Sequence, residues 1–279
     1  MKLAVSSIGW EPGLDDVVRA LLVRRNIGAV ELTPLKYWPR VDAVDAAGVA
    51  DTRAQWEGDG IVICALQGIL FGLPQLQLFG TPEQRSALER HLVSTMRLAG
   101  ALGAKVVVLG APKNRLRGAL SEEDAVAEAA PLLRRVAAVA VDYDAALCIE
   151  PNPPRYGGDF VRTSGEAMAL VAAVDHPGFG LHLDAGALAI ADEADDQIVR
   201  AARVARHFHV SVVDLVPIGD GTVDHARIAA VVQRGGYNGW CSIEMAPVAS
   251  GDVVGTIDRA IDTARTAYEQ AVPTILLLP

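Results

Sequence analysis

GFGLHLD, residues 178–184, is an apolar run closed by an acid; ALCIE (146–150) and WCSIE (240–244) end in the same way, and ARHFHV (205–210) carries a histidine one residue before its end. Each is short, rich in Leu, Ile, Val or Phe, and bounded by turn-forming residues, the texture of a buried strand. Glu150, Asp184, His209 and Glu244 therefore stand at or next to strand ends. Acids and an imidazole gathered at the ends of buried strands are costly unless something positive sits among them, and one divalent metal ion meets that demand.

Working outward, four runs of the same texture precede these: KLAVS (2–6), GAVELT (28–33), GIVICALQ (60–67) and AKVVVLG (104–110). Amphipathic stretches alternate with them, beginning near Pro12, Val41, Thr81, Ser121, Thr163, Asp192, Thr222 and Asp252. SEED (121–124) and TSGE (163–166) open two of them with a hydroxyl followed three residues on by an acid, the signature of a capped helix start. Eight strand and helix pairs in 279 residues predict an α/β fold, a (β/α)8 TIM barrel built as a single domain over residues 1–279. An open doubly wound sheet fits less well, because the first turn, SSIGWEPG (6–13), lacks the glycine fingerprint of a dinucleotide site. The segment 272–279 is unusually apolar for a free tail and is expected to dock on the barrel or on a second subunit.

Composition narrows the function classes. With a formal charge of -9, the protein has no global positive field to gather nucleic acid or an anionic membrane surface. The N-terminus turns polar too early for a signal peptide, and no apolar run is long enough to span a bilayer. Cys64, Cys148 and Cys241 fall inside strands without zinc-type spacing, so reduced thiols and a cytoplasmic location are expected.

In a TIM barrel the chemistry collects where strands end and their following loops open outward, and all four strand-end groups sit there. Strand alternation then turns Cys148, His182, His207 and Ser242 inward as well. His182 and His207 lie one layer lower, as supports or substrate contacts for the site or as a hydrogen-bonded interior pair. Glu31 also faces the barrel, with Lys105, Lys2 or the site above it as alternative partners.

Taken in order, IEPN (149–152), LHLDAG (181–186), HFHVS (207–211) and SIEM (242–245) resemble the xylose-isomerase-like barrels, the sugar phosphate isomerase and epimerase group. That group also holds inosose dehydratases, hydroxypyruvate isomerases and, more distantly, abasic-site endonucleases. The resemblance covers essentially the whole chain, since spacings of 34, 25 and 35 residues between the four groups are those of successive βα units. It implies one divalent ion, Mn2+ foremost with Mg2+, Co2+ or Zn2+ as alternatives, held by Glu150, Asp184, His209 and Glu244. It also implies that Glu150 and Glu244 serve as the acid/base pair, moving a proton through a metal-stabilised enediolate. Three carboxylates and an imidazole form a hard, mostly oxygen donor set suited to such ions, and a carboxylate bound through one oxygen keeps the other for proton transfer. Departures lie around this core. Ala187 stands where many relatives have histidine, Leu215 where the 3-epimerase pattern has arginine, and Ser211 and Val212 replace a frequent Lys-Asp pair.

The loops supply candidates for substrate contact. Lys36, Lys113, Arg115, Arg117 and Arg155 suit a phosphate or carboxylate, with Asn114 and Arg115 the preferred pair. Gln67, facing inward at the end of the third strand, suits a sugar hydroxyl, and Tyr37, Trp38 and Tyr156 suit the apolar face of a sugar ring. The expected function is a divalent-metal-dependent isomerase or epimerase of a sugar or sugar derivative, anionic forms included. An inosose-type dehydratase using the same site, or a non-catalytic sugar-binding barrel, is the alternative. The expected partner is a small sugar, without nucleic acid or membrane; a homo-oligomer is left open. An abasic-site nuclease needs additional metal ligands, mostly histidines, that a chain with six His can hardly supply.

Overall fold

In the computed structural model, which describes residues 1–219, 221, 223–247 and 251–269, every one of the eight apolar runs is a strand. They are β1 (Lys2–Ser6), β2 (Ala29–Leu32), β3 (Val62–Leu66), β4 (Val106–Leu109), β5 (Ala146–Ile149), β6 (Phe179–Asp184), β7 (Ala205–Val210) and β8 (Trp240–Ile243). All pairings are parallel and follow chain order, and β8 returns to β1 through Lys2↔Trp240 to Val5↔Ile243, closing the barrel. Short, β-branched runs separated by helical crossovers have this closed parallel arrangement as a natural outcome. The apolar segment 272–279 lies outside the described residues.

The helices are α1 (Asp15–Arg24), α2 (Ala46–Gly58), α3 (Pro82–Leu102), α4 (Glu122–Asp142), α5 (Ser164–Val174), α6 (Ala185–Ile190), α7 (Asp195–Ala202), α8 (His225–Arg234) and α9 (Val253–Ala264). Ser121 and Thr163 cap α4 and α5, accepting from the Asp124 and Glu166 amides. In TSGE the Glu166 carboxylate takes the Arg162 amide at 2.7 Å; the full reciprocal capping box lies elsewhere, between Thr81 and Gln84. α2 starts five residues later than Val41 because Asp45, not the valine, supplies the oxygen that satisfies the amides of Ala47 and Gly48. The short α6 has no separate signal in the sequence, since its cap is Asp184 itself.

Most of the core lies between the strands and the helices, with Leu22, Trp56, Leu92, Val136, Leu170, Phe208 and Ile261 fully enclosed. Inside the barrel a smaller cluster, Ala4, Ala29, Cys64, Ala65, Val106, Val108, Ala146 and Cys148, fills the side formed by β1 to β5. All three cysteines are free and buried. Toward β6, β7 and β8 the buried groups are polar: His182, His207, His209 and Ser242. Among the described residues, no helix is long and apolar enough to cross a membrane.

Candidate metal centre

Register brings the strand-end groups level. Asp184 pairs with His209 and His182 with His207 across β6 and β7, while His209 sits beside Ser242 of β8. Glu150 and Glu244 extend the ladder one step past their strands, their amides donating to Leu109 O at 3.1 Å and Val210 O at 3.0 Å. Glu150, Asp184, His209 and Glu244 thereby present donor atoms that all lie within 4.8 Å of one another. His209 Nδ1 is 3.2 Å from Glu244 Oε2 and 3.7 Å from Glu150 Oε1. That nitrogen is buried and has no hydrogen-bond partner. An orphaned imidazole nitrogen among three carboxylates fits a hard or borderline divalent cation.

Each acid is held in place. Asp184 Oδ1 accepts the Ala187 amide at 2.6 Å, and Oδ2 accepts the Ser211 hydroxyl, which itself accepts the Gly186 amide at 3.0 Å. Burial, then the charges of Glu150 and Glu244, raise the Asp184 carboxyl to about 7 against the pull of His209 and Ser211. Glu150 Oε2 accepts from Asn152 Nδ2 at 3.2 Å. A Cβ on Gly110, at the end of β4, would collide with that same oxygen, so a glycine there makes room for the carboxylate.

One layer below, His182, His207 and His209 pack ring against ring, with His182 and His209 centroids 4.1 Å apart at 68°. His182 is fully buried with its Nε2 3.5 Å from Glu150 Oε1; burial, then His209 and His207, keep it well below the usual histidine range and hence neutral. Glu31 reaches this layer from β2. Its Oε2 accepts from His209 Nε2 at 2.9 Å, and its Oε1 lies 3.3 Å from His207 Nε2. Burial would raise the Glu31 carboxyl, but His209 and His207 outweigh it and hold the group well below its usual range. Of the partners open to Glu31 in the sequence, the site above it is the one met. Lys105 instead pairs with Asp144 at 2.5 Å, and Lys2 lies over the Trp240 ring.

The loop candidates are dispersed, and most turn to the protein itself. The Lys36 ammonium is spent on the carbonyls of Ser7, Ile8 and Trp10 at 3.2, 2.9 and 2.7 Å, stapling the loop after β1. Asn114 is buried, its amide donating to Leu73 O and Leu76 O at 2.8 and 2.7 Å. Arg115 is 2% exposed and donates to Gly110 O, Phe160 O, Val161 O, Glu150 O and Asn152 Oδ1. Burial brings its pKa down to about 10, with Glu150 opposing, so it is charged at neutral pH. A guanidinium this enclosed is a structural staple with no donor left for a substrate. Arg117 turns to Asp159 O and Leu120 O. Arg155 forms a forked pair with Asp214 at 3.0 and 2.5 Å, clasping the loops after β5 and β7. Tyr156 joins that clasp, its hydroxyl oxygen accepting the Asp214 amide at 3.3 Å. Tyr37 donates to Asp15 at 3.0 Å, with Trp38 tilted against its ring. Gln67 is buried with its amide donating to Ser6 Oγ. Among the described residues, Lys113 is exposed and has no ion pair.

The profile of the xylose isomerase-like TIM barrel family matches residues 20–267. The chain belongs to that family. Among curated proteins none matches it by sequence. Similar solved structures include 3-keto-D-glucoside 4-epimerase, YcjR, from E. coli, with a TM-score of 0.78, 15% identity and coverage of 95% of this chain and 99% of that one. D-psicose 3-epimerase from Clostridium cellulolyticum H10, solved with D-tagatose, has a TM-score of 0.75 and 18% identity, covering 96% of each chain. The IOLI protein with a bound zinc atom has a TM-score of 0.77 and 15% identity, covering 96% of this chain and 99% of that one.

Where the chain departs from the pattern of its xylose isomerase-like relatives, the structure gives the replacements other work. Ala187 is buried in α6 and supplies the amide that Asp184 accepts. Ser211 buttresses Asp184 from the opposite side, and Leu215, with Asp214, adopts left-handed backbone at φ 54° and 62°. Reading the residues singly leaves Ser211 and Asn152 unassigned. Alternation could have found both, since each stands two residues beyond a strand-end group, on the same side of the extended chain.

Proposed function

We propose that this protein is a divalent-metal-dependent isomerase or epimerase of a keto-sugar or related polyol. The observation that carries the reading is the His209 Nδ1 atom, buried and unpartnered, with Glu244 and Glu150 at 3.2 and 3.7 Å. Glu150, Asp184, His209 and Glu244 would hold the ion, with Mn2+ the best match to three oxygen donors and one nitrogen donor. When bound, a divalent ion supplies Lewis-acid polarisation of a carbonyl and stabilises developing negative charge. Glu150 and Glu244 then act as the acid/base pair: one carboxylate takes the proton from the carbon between a carbonyl and a hydroxyl, and the other returns a proton to that carbon or its neighbour. Ser211 and the Ala187 amide keep Asp184 from rotating, and Asn152 does the same for Glu150. Gln67 and Tyr156 remain as groups able to meet hydroxyls.

The loop chemistry favours an uncharged substrate over a phosphorylated one. Lys36, Arg115, Arg117 and Arg155 are all engaged with the protein itself, which leaves Lys113 as the free cation among those candidates. The test is metal content and proton exchange measured together. Purified protein, or stripped protein given Mn2+, is expected to hold about one ion per chain and to wash deuterium from D2O into a neutral keto-sugar. Asp184→Asn should lose both. Exchange followed by loss of a hydroxyl would make it a dehydratase, and metal without exchange on any keto-sugar or ketopolyol would make it a binding protein.

A further inference from the structure

Glu31 enters the barrel from β2, far in sequence from every strand-end ligand, and is fully enclosed. Among the described residues its ion-pair partners are two imidazoles, His209 at 2.9 Å and His207 at 3.3 Å, with no lysine or arginine. A carboxylate can only accept, so the nitrogen facing Glu31 Oε2 must carry a proton. His209 Nε2 is that nitrogen. A neutral imidazole has one ring proton, and placing it on Nε2 leaves Nδ1 bare toward Glu150, Asp184 and Glu244. The opposite tautomer would set a lone pair against Glu31 at 2.9 Å.

We infer that Glu31 is the positioning residue of the metal centre, holding His209 in the tautomer and ring orientation that present Nδ1 to the ion. This rests on the reading of the strand-end ring as a metal site. His207 Nε2 stands 3.3 Å from the second oxygen of Glu31 without a hydrogen bond between them, so the carboxylate lies between two rings. A carboxylate behind a ligating imidazole also increases its basicity, and losing such a partner typically weakens metal binding by about 10–100-fold. A merely structural Glu31 would behave differently. Removing the charge of a carboxylate buried between two imidazoles should cost stability whether or not the site binds metal, so the positioning role is read from metal affinity and not from Tm.

The experiment compares metal-stripped wild type with Glu31→Gln and Glu31→Asp, titrating Mn2+ by calorimetry and following thermal unfolding with and without the ion. Wild type is expected to bind one Mn2+. Glu31→Gln should bind it about 10–100-fold more weakly per folded molecule, with a metal-free Tm at or below wild type. Glu31→Asp keeps the charge but retracts it from His209 and should also bind more weakly; it carries the test if the glutamine variant fails to fold. Equal Mn2+ affinity in wild type and the folded variants overturns the inference and leaves the metal site standing. A wild type that binds no Mn2+ overturns the metal reading itself.

Discussion

Strand ends and loops handle charge in opposite ways in this barrel. Glu150, Asp184, His209 and Glu244 come from four different strands and converge to within 4.8 Å. Of the cations that the sequence places around the same opening, all but Lys113 turn away, among them Lys36 to three carbonyls, Arg115 into the core and Arg155 to Asp214. Register explains the difference. A side chain at a strand end has its direction set by the pleat and by its hydrogen-bonded neighbours. A lysine or arginine in a loop has four or so rotatable bonds and swings to whichever acceptors the folded loops leave unsatisfied. The anionic half of the site is a property of the barrel, and the cationic half is loop carpentry.

Arg115 offers the hardest test of that distinction. Its guanidinium satisfies the carbonyl of Glu150 and orients Asn152, which in turn touches Glu150 Oε2. Arg115→Leu would leave a set of buried acceptors empty and is expected to cost roughly 2–5 kcal/mol of stability in urea unfolding. Arg115→Lys should recover little of it, since one ammonium cannot reproduce the fork. A variant that unfolds like wild type but fails to bind an anionic sugar would reverse the assignment and return Arg115 to the substrate.

Legibility in the sequence follows the same division. The barrel could be read because eight apolar runs and their capped helices repeat with a period that few folds share, and the strand-end ring could be read because alternation fixes which side chains face in. Ser211 and Asn152 follow by alternation from His209 and Glu150, but the partner of Glu31 needed register between strands distant in sequence. β2 meets β7 only across the barrel interior, so nothing local to GAVELT announces that Glu31 faces His209. The loop roles of Lys36, Asn114 and Arg115 were illegible for a different reason. Their acceptors are backbone carbonyls, which carry no sequence signal at all.

The strand-end ring should also reveal itself through pH. In the metal-free protein Asp184 is raised from 3.8 to about 7 by burial and by Glu150 and Glu244, and Glu31 and Glu244 raise His209 against its burial. Both shifts mean that the folded state binds protons more tightly than the unfolded chain. Their stabilising contribution is complete below the unfolded values and is lost as pH rises, for Asp184 through about 7. Stripped wild type should thus lose stability relative to Asp184→Asn between pH 5 and 8, the difference corresponding to roughly one proton. Saturating Mn2+ should reverse the trend, since the ion replaces the protons as the positive partner. A pH-independent difference between the two proteins would mean that the acids do not share one site.

The smallest expected effect separates the two halves most cleanly at the mouth. Arg155 and Asp214 are both about half exposed, so their forked pair links the loops after β5 and β7 at little net gain. Arg155→Ala should leave the folding midpoint and Mn2+ affinity where they are. If the substrate is neutral, KM should move by no more than about threefold, through the altered freedom of Tyr156 beside the clasp. If the substrate carries a phosphate or carboxylate, Arg155 must release Asp214 to bind it, and the same substitution should raise KM about tenfold or more while kcat is retained. Asp214→Asn then discriminates further. By freeing the guanidinium it should tighten binding of an anionic sugar and leave a neutral one unchanged, so that opposite responses to the two substitutions would show that the loop cations belong to the site after all.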